Sequence, residues 1–161
     1  MNIKKIIISI VAAMLAICLG IFTYITYNED KNVYEENINI DLVTLDNTFS
    51  KLDAFSNIKM KNIDKDTLFN IFNIDKNLVV EVIGKMPIID VKSSMYIVIK
   101  TNSQALVKTK LEEFAKQLES QWSTYLESEF NLVKNRIIST KGDYVYLIIA
   151  DNAKEIEQKI K

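Results

Sequence analysis

The chain has 161 residues, 48% of them hydrophobic and 25% charged, with a formal net charge of −1. Such a composition belongs to a chain that folds, not to a disordered one. It has no histidine and one cysteine, Cys18, which excludes a histidine-based triad, a Cys/His zinc site, haem attachment and an intrachain disulfide.

From Ile6 to Tyr27 no residue is charged; Lys4 and Lys5 precede this run and Glu29 and Asp30 follow it. Its length gives about 33 Å of helix, enough for a hydrocarbon core of roughly 30 Å. The basic flank predicts a cytoplasmic N-terminus. Residues 1–27 are therefore read as a signal-anchor transmembrane helix, 28–40 as a polar tether and 41–161 as an extracytoplasmic domain. This makes a single-pass protein of the cell membrane. One alternative is a lipoprotein modified at Cys18, where Leu15 suits the motif and Ile17 stands in place of a small residue. The other is a cleaved secretory signal, with Ala16, Cys18 and Gly20 as the small residues. All three put the domain outside a membrane. Beyond the run lie 18 basic and 21 acidic residues, too even a balance for a nucleic-acid binder.

Asp41 is placed to cap a helix carrying Leu42, Leu45, Phe49 and Leu52 at three- and four-residue spacing, broken at Ser56-Asn57. A second short helix is expected from Asp64, with Leu68, Phe69, Ile71 and Phe72 as its apolar side. The β-branched run Leu78–Ile83 predicts a strand ending at Gly84. Ser94–Lys100 predicts another, apolar at nearly every position and so central in its sheet. The longest helix is expected from Ser103 to about Glu127, with Val107, Leu111, Phe114, Leu118, Trp122 and Tyr125 as one stripe. Arg136–Thr140 and Tyr144–Ile149 read as a hairpin turning at Gly142, and Asp151-Asn152 as the cap of a last helix with Ile156 and Ile160. The order predicts an α+β fold, an antiparallel sheet of about four strands with the long amphipathic helix packed on one face and the helices gathered there.

Few constellations carry chemistry. Ser56-x-x-Lys59 matches a serine acyl-transferase tetrapeptide, but its companion motifs are missing and the pattern arises readily by chance. Asn62, Asp64 and Asp66 alternate like calcium ligands, yet Thr67 occupies the position that needs glycine, so helix capping is the expected role. Glu112, Glu113, Glu127 and Glu129 are expected on solvated helix faces. No metal and no cofactor is expected.

The segment from Asp64 to Ile160, about 60% of the chain, resembles an uncharacterised domain family of exported lipoproteins and membrane-anchored proteins of Firmicutes. The resemblance rests on Phe72-Asn73-Ile74-Asp75, Met95–Lys100, the long helix reaching Gln121 and Tyr125, Asn135–Ile138 and Gly142–Ile149. It implies a fold and a location, and no catalytic residues.

The function expected is a non-enzymatic interaction module of the cell envelope, binding a protein or a cell-wall component. Core packing is the first expectation for Trp122 and Tyr125, with a sugar- or peptide-stacking platform as the alternative. Trp122, Tyr125, Tyr144 and Tyr146 are the candidate surface; the last two, which share one strand face, are either exposed partners of that platform or a sheet face covered by the helix. A carboxylate- or serine-dependent hydrolase of envelope polymer and a structural subunit of a membrane complex are the alternatives.

Overall fold

A computed structural model of the chain describes residues 38–89 and 91–160; the apolar run Ile6–Tyr27 lies outside the described residues, as do Asp90 and Lys161. Asp41 accepts from the Thr44 N–H at 3.1 Å and from its hydroxyl at 2.7 Å, starting helix α1, Leu42–Phe49. A short α2, Asp53–Ser56, leads into strand β1, Met60–Asn62. Asp64 repeats the cap on Thr67 and opens α3, Lys65–Phe72. That helix stops at Asn73, whose φ of 54° is a left-handed position that asparagine tolerates. Strands β2, Glu81–Pro87, and β3, Met95–Lys100, precede the long α4, Gln104–Trp122. Then come α5, Glu127–Lys134, β4, Ile137–Lys141, β5, Tyr144–Ile149, and α6, Ala153–Glu157.

The sheet is antiparallel throughout, in the order β1-β2-β3-β5-β4. It has five strands where four were expected. The fifth is β1, only three residues long, which pairs Met60 with Pro87 and Asn62 with Lys85. β3 is central, as its unbroken apolar sequence predicts. β2 does not end at Gly84 but runs through it, because a side chain is excluded there. A Cβ on Gly84 would lie 2.7 Å from the Tyr96 carbonyl oxygen of β3.

Helices cover both faces of the sheet, not one. On the first face Met95, Ile97 and Ile99 of β3 and Val145, Leu147 and Ile149 of β5 meet α3, α4 and α5 through Leu68, Phe72, Leu111 and Val133. On the second, Tyr96, Val98, Tyr144, Tyr146 and Ile148 meet α1, α2 and α6 through Phe49, Phe55 and Ile156. Strand alternation divides the two sets, since successive side chains leave opposite faces. Ile38 and Ile40, read from sequence as tether, belong to the second core: Ile40 is buried and Ile38 packs against it.

The helix expected to reach Glu127 stops at Trp122. Leu126 is extended (φ −138°, ψ 116°), and the chain turns into α5 where a link was expected. Gly142 turns the β4–β5 hairpin at φ 52°, as expected, with Lys141 facing Tyr144.

Candidate functional site

The site forms where the C-terminal half of α4, the end of β2 and the 88–94 connection converge. Loop residues Ile88, Ile89 and Val91 remain about half exposed, and Tyr125 and Leu126 beyond α4 are exposed as well. Beneath the loop lies a hollow of about 180 Å³. Met86, Pro87 and Ile89 line it from the β2 side, and Phe114, Leu118 and Trp122 from α4. Trp122 and Gln121 also border an adjoining hollow of about 300 Å³ with Thr124 and Tyr125.

Trp122 sits one turn from Leu118 at the end of the α4 stripe and is buried. Its ring centroid is 5.7 Å from that of Tyr125, at 59°, so the structure brings these two candidate residues together. Among the described residues, Trp122 Nε1 is the buried side-chain polar atom left without a hydrogen-bond partner. Leaving such a donor unpaired costs about 1–3 kcal/mol.

Tyr144 and Tyr146 are elsewhere. Both are buried in the second core, on the opposite face of the sheet from Trp122, so they are not exposed partners of a shared aromatic platform. The Tyr144 hydroxyl accepts from the Ile40 N–H at 3.1 Å and ties residues 39–40 to β5. Tyr146 donates to Glu157 Oε1 at 2.8 Å; burial, with the Glu157 carboxylate beside it, pushes its phenol up.

Glu129, expected in solvent, is instead buried in the first turn of α5. Its carboxylate accepts from the Ser93 N–H and hydroxyl, both at 2.8 Å, and from Lys92 Nζ at 3.0 Å. Burial pushes this carboxyl up, but the Ser93 and Lys92 hydrogen bonds and the Lys92 charge outweigh it and hold the group below its usual range. The arrangement pins the 88–94 loop against α5 and thereby sets the wall of the hollow. Sequence reasoning had no access to it, because Ser93 and Glu129 are 36 residues apart.

The other candidate motifs have structural roles. Ser56 ends α2, and Lys59 lies beyond that helix, where its carbonyl accepts from the Ile88 N–H at 3.0 Å. Asp64 caps α3 and Asp66 pairs with Lys76. A third hollow, about 500 Å³, has Asp46, Asp64 and Glu81 on its walls. Asp64 is engaged as the cap, and Asp46 accepts the Tyr96 hydroxyl at 2.6 Å. Among the described residues no group of three or more His, Cys, Asp or Glu is placed to hold a metal, and no helix is long and apolar enough to cross a membrane.

The class defined here is an α+β domain with a five-stranded antiparallel sheet, helices on both faces and an apolar hollow at one end. Residues 53–150 match the family model described as a domain of unknown function, DUF4358. The chain belongs to that family. No curated protein and no solved structure matches it.

Proposed function

We propose that the protein is a membrane-anchored, extracytoplasmic interaction module of the cell envelope, without catalytic activity of its own. The observation that carries the reading is the pair of adjoining hollows that share Trp122, with exposed Ile89 on the wall of one and exposed Tyr125 on the wall of the other. Scattered exposed apolar residues are ordinary, but ones that line adjoining concave features mark a contact surface. The anchor and its orientation rest on the uncharged run Ile6–Tyr27 behind Lys4 and Lys5. A hydrolase would draw on the carboxylates around the larger hollow, two of which already serve α3 and Tyr96.

The test is site-specific photocrosslinking of the full chain in its native host. A photoreactive residue at Tyr125 or at Ile89 is expected to trap the same partner, and one at exposed Thr109 on α4 is not. The product should persist when residues 1–27 are exchanged for an unrelated anchor. Equal capture at all three positions, or loss on exchange of the anchor, overturns the reading.

A further inference from the structure

The hollow between the end of β2 and α4, taken apart from its neighbour beyond Trp122, is too small for most free ligands. Small-molecule sites run from about 300 to 1,000 Å³, and this one, at about 180 Å³, is on the scale of one large side chain. Its walls are chiefly apolar, from Met86, Pro87, Met95, Phe114 and Leu118. Ile89 on its wall is about half exposed, and exposed Tyr125 borders the adjoining hollow that shares Trp122. A pocket that takes one anchor side chain, ringed by apolar contact surface, is the arrangement of a protein–protein hot spot.

Among the described residues, Lys92 is the charged side chain on the wall of this pocket. It leaves 52% of its side chain exposed, while the Glu129 carboxylate beneath is 4% exposed. The pair is neutral in sum, but it presents its cation outward. Exposed Lys59 is joined to the same loop through the Ile88 N–H. The exposed carboxylate of Glu127 borders a different groove, with Ser123 and Tyr125.

We infer that this hollow is the anchor pocket for a protein partner, taking one large apolar side chain from a segment that carries a carboxylate beside it, with that carboxylate against Lys92. The inference rests on the interaction-module reading and narrows its partner to protein.

Trp122 is the chain's only tryptophan, so tryptophan emission comes from the wall of this pocket and no other tryptophan contributes. The full chain, reconstituted in phosphatidylcholine vesicles, is titrated with the blocked peptide acetyl-Gly-Phe-Glu-Gly-amide. A saturable change in Trp122 emission is expected. Replacing Phe by Ala, or Glu by Lys, in the peptide should weaken binding about tenfold or more. Leu118→Phe, which fills the hollow, should abolish it, and Lys92→Gln, which leaves the Glu129 carboxylate without its counter-charge, should remove or reverse the preference for the Glu peptide. No saturable change, or equal affinity for the Glu and Lys peptides on the unmodified chain, overturns the inference. So does a larger response to N-acetylglucosamine oligomers or to phosphatidylglycerol in the vesicles, which would indicate a wall polymer or a lipid surface. If peptide binding fails while crosslinks at Tyr125 and Ile89 persist, only the partner class falls; if both fail, the module reading falls too.

Discussion

Glu129 shows how one side chain acquires a role from tertiary contacts alone. A carboxylate removed from water is costly unless hydrogen bonds and a counter-charge replace its hydration, and here Ser93 and Lys92 supply both. Glu129→Gln keeps the shape and loses the charge-assisted bonds, so it should lower stability by about 2 kcal/mol at pH 7. Because the folded carboxyl is held below its unfolded value, this stabilisation is complete above the unfolded value near 4.5 and is lost as pH falls through the folded one. Urea midpoints of wild type and variant should therefore converge as pH is lowered below 4.5, and a difference that stays constant as the acid limb is descended would refute the assignment. None of this was legible in the sequence, where a glutamate on an amphipathic helix reads as solvated. Trp122 and Tyr125 are the contrasting case. Both were expected in one helix stripe, and their rings do lie together, although the helix ends between them.

At the scale of elements, local signals did well wherever the cause was local. Asp41 and Asp64 cap the helices they were expected to cap, and Gly142 supplies the left-handed turn of the hairpin. The errors came where a distant neighbour decided. Gly84 reads as a strand end because glycine weakens strands, but here it lets β2 and β3 come together against the Tyr96 carbonyl. Gly84→Ala should therefore destabilise by about 2 kcal/mol through overpacking against backbone. The expected observation is a lower urea midpoint with an unchanged denaturant slope. A neutral or stabilising effect would mean that β2 does not lie as close to β3 as described. β1 was missed because Met-Lys-Asn has no strand signature of its own and is extended only by its pairing with β2.

For the domain as a whole, β3 and β5 serve two cores at once. Odd-numbered residues of each strand pack under α3, α4 and α5, and even-numbered ones under α1, α2 and α6. Neither core can be lost without exposing one face of the strands that hold the other, so the domain is expected to unfold in a single transition. Phe72→Ala and Phe49→Ala, on opposite faces, should each cost about 3–5 kcal/mol. Trp122 emission, which reports on the first core, should shift its midpoint in both variants together with far-UV circular dichroism. A Trp122 transition unmoved by Phe49→Ala would show that the two cores melt independently.

By itself, the sequence determined the α+β class, the central place of β3, the caps at Asp41 and Asp64 though not one at Asp151-Asn152, the hairpin turn, and the exclusion of a histidine triad and an intrachain disulfide. Each of these follows from side-chain type or from spacing along a few residues. The tertiary structure decided which faces are covered, that Tyr144 and Tyr146 are core residues, and that Glu129 fixes a loop above a hollow beside Trp122. Those outcomes depend on groups that are far apart in the chain and adjacent in space. Periodicity says that a side chain leaves one face of an element; only packing says what that face meets.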